Sequence, residues 1–306
     1  MAEGEGGNSY FDKFVEKHSF NDETPQEIWS RCISILIGLK SEMYGCIRQK
    51  GDSIWELPHS GMLITQLARI DEYAESALTL MLTKNDFRSV EIISRTIIEA
   101  SMNLRWICLE SNPMPAIIGY MTKTLSHLER DTREWKKSLQ GAIDADLKSA
   151  HLKKISLKEA QIANYRNWMN NNLPDGEVKK FPKSKKKLFQ ILNDEIGYNT
   201  IYAALCSQSH NDGEDLMNNT LMMQYHEVFS QIGVETDIPE SLEEEKKNFA
   251  SLMLLESFKY LLDAYHAVSK CLDLNQGLNP VYMSIAMKSR IDAMKKQFDN
   301  YWLKGN

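Results

Sequence analysis

Apolar residues spaced three and four apart run through most of the chain, and short clusters of helix breakers cut that pattern into segments. Ile28, Cys32, Ile35, Leu36, Leu39, Met43 and Cys46 form a first stripe. Leu63, Leu67, Ile70, Ala74, Ala77 and Met81 form a second, and Val90, Ile93, Ile97, Ala100, Leu104 and Ile107 a third. This spacing matches the turn of an α-helix and puts one apolar face toward a core. No alternation of apolar and polar residues has the length of a useful strand, and no short repeat recurs. The expected fold is all-α: a multi-helix bundle of long antiparallel helices with essentially no strand.

The breakers set the ends of the elements. Thr24-Pro25-Gln26-Glu27 supplies a cap, a proline suited to the first helical position and a capping-box glutamate. Gly51 ends that helix. A second helix is predicted over 59–83 and a third over 87–110, joined by Lys84-Asn85-Asp86, so the two are antiparallel neighbours. Asn112-Pro113-Met114-Pro115 starts a fourth, which runs toward Trp135. The stretch 136–160 is polar and weakly patterned and reads as helical in pieces, followed by a helix over 157–171. A short helix over 188–195 is punctuated by Gly197, with Asn199 or Thr200 capping the helix that bears Tyr202, Leu205, Cys206 and His210. Further helices are predicted over 216–230, from a capping Ser241 to 274, and from Met283 to Trp302. Three regions result: a flexible tail over 1–23, a helical core domain over 24–230, and a C-terminal helical hairpin over 231–306 that packs on the core or on a second subunit. Tyr301 and Trp302 near the terminus point to the second subunit, a homodimer.

Composition removes several function classes. The net charge of −6 gives no overall attraction to nucleic acid, although local basic patches remain open. Five cysteines, an odd number with no C-x-x-C pair, argue against a disulfide framework or a zinc ribbon and for a reducing compartment. The first residues have neither the basic nor the apolar region of a signal peptide. The apolar run Ile33–Leu39 is too short to span a bilayer. The expected location is cytoplasmic, with no membrane partner. Phosphate-loop, dinucleotide, nucleophile-elbow and H-E-x-x-H motifs are absent, and Glu-x-x-His pairs are absent from the core-patterned helices. No metal and no cofactor is therefore expected. His127, His226 and His266 have no partners visible in sequence, and the fifteen methionines fall mainly at core spacing.

Two pairs one helical turn apart carry the candidate chemistry. Arg95 and Glu99 lie on one face of the third helix, and Cys206 and His210 on one face of a later helix. If those faces meet, Arg95, Glu99 and His210 form one polar cluster in an apolar surround. As a structural element the cluster is a buried salt bridge that fixes helix register. As a catalytic one, His210 is a general base or acid tuned by Glu99, with Arg95 stabilising a phosphate. A basic run precedes it, from Lys179 to Lys187. Within it Lys183, Lys185, Lys186 and Lys187 are candidates for nucleic-acid binding, weighed against an ordinary solvated loop.

Arg95-x-x-x-Glu99 in an apolar helix, followed by Tyr202-x-x-x-Cys206-x-x-x-His210, resembles a prokaryotic helical family known only as a domain of unknown function, number 5677. The likeness covers about residues 55–215. Cys206 stands where that family usually has Ser, which removes a hydroxyl donor. The resemblance implies an all-α fold and no established reaction. More distantly, the chain is similar to the helical-bundle ribonuclease toxins of bacterial defence systems. Those use an Arg-x(4–6)-His motif, and here no Arg precedes His210 at that spacing, so Arg95 has to come from another helix. The functional expectation is a bacterial stress or phage-defence effector, with metal-independent endoribonuclease activity as its candidate reaction. RNA and a protein from the same defence operon are its candidate partners. The alternative is a non-enzymatic helical interaction or regulatory protein.

Overall fold

A computed structural model describes residues 25–83, 86–141, 144–172, 178–209 and 238–274, with isolated positions in 220–231 and 288–296. Every regular element among the described residues is helical. The helices are α1 (Pro25–Lys50), α2 (Ser60–Thr83), α3 (Phe87–Ile107), α4 (Met114–Ser138), α5 (Ala145–Asn171), α6 (Lys185–Ile191), α7 (Ala203–Ser209) and α8 (Ile238–Cys271). The sequence places the starts of α1 to α4 within a residue, because Pro25, Asp86 and Pro113 act through the backbone itself. α8 begins at Ile238, three residues before the predicted Ser241, since Pro239 suits a first helical turn. The predicted tail over 1–23 lies outside the described residues. So do the helices over 216–230 and after Pro280, apart from the isolated positions. No described helix is long and apolar enough to cross a membrane.

The chain divides into two compact units, Met1–Trp106 with Lys185–Asn306, and Ile107–Ser184. In the first, α2 packs on both α1 and α8. The whole predicted α2 stripe is buried, from Leu63 to Met81. In the same unit Cys32, Leu36 and Leu39 of the α1 stripe are buried, as are Leu254, Phe258, Leu261 and Tyr265 of α8. α8 is buried over most of its circumference between Met253 and Tyr265, as a central helix must be. Each large side chain buried here stabilises the fold by about 1.5–3 kcal/mol relative to exposure. Inside this core the Tyr265 hydroxyl donates to Asp71 Oδ2 at 2.5 Å. The other Asp71 oxygen is buried and has no hydrogen-bond partner among the described residues. Burial pushes the Asp71 carboxyl up to about 7, against the opposing pull of Tyr265 and Lys40.

In the second unit α4 and α5 pack together. α5 is one continuous helix of 27 residues where the sequence suggests pieces. Asp144 caps it, accepting the Leu147 N–H at 2.9 Å. Its buried residues are Ile155, Ile162 and Met169, one in seven, while Leu147, Leu152 and Leu157 are exposed. So thin a seam leaves little periodicity to read. Residues 178–182 lie along α4: the Lys179 N–H donates to the Pro115 carbonyl at 3.2 Å, and the Phe181 ring centre is 5.1 Å from that of Tyr120. The Lys123 ammonium sits 4.5 Å over Phe181.

Gly119 permits this approach, because a Cβ there would lie 1.8 Å from the Lys179 carbonyl oxygen. Replacing a mid-helix glycine by alanine normally stabilises by about 1 kcal/mol. Gly119→Ala is expected to do the reverse, costing roughly 1–3 kcal/mol in urea denaturation; a more stable variant would refute the close contact.

A second expectation concerns Asp71. Its folded carboxyl holds a proton more readily than the unfolded one, whose ordinary value is 3.8. The stability this group contributes is therefore greatest at low pH and declines as pH rises from about 4 toward about 7. Asp71→Asn removes the titration and keeps an acceptor for Tyr265. Relative to the native chain it gains stability across that window, by a few kcal/mol at the top of it. Parallel pH profiles of the two denaturation midpoints would contradict this.

Candidate functional site

The apolar α3 carries Arg95 and Glu99 one turn apart, and Arg95 Nε meets Glu99 Oε1 at 3.0 Å. The Tyr202 hydroxyl donates to the same oxygen at 2.7 Å. Lys185 Nζ lies 3.0 Å from Oε2. One carboxylate thus gathers donors from α3, from the start of α6 and from the turn that leads into α7. The Arg95 guanidinium lies 5.8 Å from the centre of the Tyr202 ring. Burial by itself pushes the Glu99 carboxyl up, but Tyr202, Lys185 and Arg95 outweigh it and hold it below the usual carboxylate range. Burial, then the Glu99 charge, pushes the Tyr202 phenol well above its usual value. Glu99 is consequently a fixed anion and Tyr202 a fixed donor.

Local packing puts Tyr202 there. After α6 the chain turns at Asn193, which takes a positive φ of 56°. Asp194 then caps the next turn, accepting the Gly197 N–H at 3.2 Å and the Tyr260 hydroxyl at 2.7 Å. The helical path continues from Glu195–Gly197 through a π turn at Tyr198–Tyr202 into α7. This corrects the predicted cap at Asn199 or Thr200: no break occurs there, because Asp194 has already satisfied the start. Gly197 is no interruption either. Its missing Cβ makes room for the Tyr260 hydroxyl, which would stand 2.1 Å away. The buried Phe189 ring anchors the segment, with centroid distances of 5.6 Å to Tyr198, 5.3 Å to Tyr202 and 6.1 Å to Tyr260.

Arg95 and Glu99 also line an open groove of about 420 Å³ between α2 and α3. Gln66, Arg69, Ile70 and Tyr73 form its α2 wall. Ile92, Thr96, Ala100 and Asn103 complete the α3 wall. Ile70 and Ala100 belong to the apolar stripes, and the other lining residues occupy helical positions beside them. Arg95 and Glu99 retain 21% and 28% side-chain exposure, so the ion pair reaches solvent and is not sealed in the core. Two guanidiniums against one carboxylate give the groove a net positive charge, and Lys185 adds to it from behind Glu99.

A model of a family of unknown function, DUF5677, matches residues 61–224. The chain belongs to that family. No curated protein and no solved structure matches it. The matched span contains both walls of the groove and every residue around Glu99.

Of the predicted site residues, the structure brings Arg95 and Glu99 together; His210 lies outside the described residues. Lys185, one of the four lysines predicted to bind nucleic acid, pairs with Glu99, while Lys183, Lys186 and Lys187 are exposed. Lys179 pairs with Glu110 at 2.7 Å. Among the described residues no group of three His, Cys, Asp or Glu side chains could hold a metal ion. The sequence reading missed Arg69, Gln66 and Asn103. Their signal was a polar stripe at 66, 69 and 73 beside the apolar one, which a search for core residues passes over.

Tyr202→Phe deletes one donor to an ionised acceptor and is expected to cost about 1.5–3 kcal/mol at neutral pH. Because the folded Glu99 value is depressed, this stabilisation is present above the ordinary carboxylate range and is lost as pH falls through the folded value. The gap between native chain and variant in urea midpoint should therefore close in acid. A gap that persists there would mean the phenol contributes packing only.

Proposed function

We propose that the chain binds RNA phosphodiesters at the α2–α3 groove and cleaves them without a metal ion. The observation that carries this reading is the open, positively charged groove beside a braced ion pair. An ion pair serving only to lock two helices gains nothing from a solvent-filled groove along its flank. Here Arg95 is oriented by Glu99 and by the Tyr202 ring, which preorganises a guanidinium for a planar, bidentate phosphate contact. Glu99, held ionised and supplied with three donors, is a poor proton acceptor, so its role is to position Arg95. The proton acceptor in this scheme is His210, which would take the proton from a ribose hydroxyl while Arg95 stabilises charge on the phosphate. The exposed Lys186 and Lys187 would steer the strand. Such an activity suits an effector of stress or phage defence.

The competing reading is a structural network without catalysis. It is favoured by one observation: both Glu99 oxygens are satisfied within the protein. Incubation of purified protein with total RNA in chelator separates the two. The expected result is cleavage that disappears in Arg95→Ala and His210→Ala while the circular dichroism of both variants stays native. Intact RNA with the native chain, or unchanged cleavage by His210→Ala, would sink the catalytic reading and leave the structural one.

A further inference from the structure

We propose that the α2–α3 groove takes one nucleotide unit, its phosphate on Arg69 and its base against Tyr73 and the amides of Gln66 and Asn103. This rests on the RNA reading above and names what enters the groove. Three independent features of the groove define the ligand. The first is charge. Arg69 is exposed and makes no ion pair or hydrogen bond among the described residues, yet it lines the groove that Arg95 also lines. A guanidinium without a carboxylate partner at the wall of a cavity suits an anion, and its fork suits a phosphate.

The second feature is hydrogen-bonding capacity. Gln66, which makes no hydrogen bond among the described residues, and Asn103 place side-chain amides on the two helices that wall the groove. The third feature is shape. Tyr73 and Ile92 line the rim and remain 39% and 46% exposed, which gives flat apolar surface for a planar ring.

An anionic group, hydrogen-bonding edges and a planar ring together describe a nucleotide better than a simple anion, a peptide or a lipid. The scale agrees. Gln66 to Tyr73 spans two helical turns, about 10 Å along the axis. The volume of about 420 Å³ lies in the range of small-molecule sites. The same chemistry is offered by a free mononucleotide and by one residue of an RNA strand.

Calorimetric titration of the full chain with the four ribonucleoside monophosphates, inorganic phosphate and a short oligoribonucleotide tests this. The expected result is that a mononucleotide or the oligoribonucleotide binds at least tenfold more tightly than phosphate. Binding by the oligoribonucleotide alone identifies the strand as the source. Arg69→Ala and Tyr73→Ala, both at exposed positions, should each weaken that binding about tenfold or more. Phosphate binding as tightly as any nucleotide, or nucleotide affinity untouched by both substitutions, overturns the proposal. Cleavage of RNA that survives either result leaves the catalytic reading standing at another surface. Nucleotide binding with intact RNA supports the groove and removes only the cleavage.

Discussion

The carboxylate of Glu99 organises the structure around the groove. It accepts from Arg95, four residues away on its own helix, and from Lys185 and Tyr202, which arrive from far along the chain. A half-buried charge is stable only when paired and hydrogen-bonded, so the start of α6 and the turn before α7 are held in place by the need to satisfy it. The ion pair costs desolvation, and the return is geometric: a guanidinium fixed in direction at the wall of a cavity. Lys185 adds a second consequence. Three lysines open α6, where the helix dipole disfavours positive charge, and Glu99 offsets that penalty at the first of them.

Glu99 could not gather these groups unless Tyr202 were delivered from the other side. Delivery depends on Asp194, which caps the turn at Gly197 and ties it to Tyr260 of α8. It depends also on Phe189, whose buried ring holds Tyr198, Tyr202 and Tyr260. α8 in turn is tied to α2 through Tyr265 and Asp71. A chain of buried phenols donating to carboxylates therefore runs from one groove wall through α8 to the segment that completes the ion pair. Each phenol is a rigid body with one polar end, which suits it to carry a donor through an apolar core.

The sequence was legible where a single physical signal dominates. Pro25, Gly51, Asp86 and Pro113 act on the backbone locally, and the stripes of α1, α2 and α3 follow the helical period, so those elements were read correctly. α5 was not, because a helix burying only Ile155, Ile162 and Met169 has almost no amphipathic pattern, and its continuity rests on the Asp144 cap and the absence of breakers. Gly197 was misread as a stop since its reason is tertiary: the room it leaves for Tyr260 comes from a residue far along the chain. At the site, Arg95 and Glu99 were visible as charges inside an apolar helix. Lys185 stood in a run of lysines and nothing local marked it as the one that pairs. Arg69 and Gln66 were hidden by an ordinary property, since polar residues on the exposed flank of a helix are the usual case.

The position of the ion pair at a groove bears on why it is ionic at all. An apolar pair at 95 and 99 would pack α3 at least as well, since replacing a buried ion pair by hydrophobic residues is often neutral or stabilising. Helix register does not require it either, because the stripes of α2 and α3 already specify which faces turn inward. What the charged pair supplies that an apolar pair cannot is directed positive charge at an intermediate depth, where solvent screens it less than at the surface and desolvation costs less than in the core. Arg69, on the opposite wall and without a carboxylate among the described residues, raises that charge. Two guanidiniums that share one cavity, one braced by Glu99 and one without a carboxylate, are accounted for by what the cavity receives.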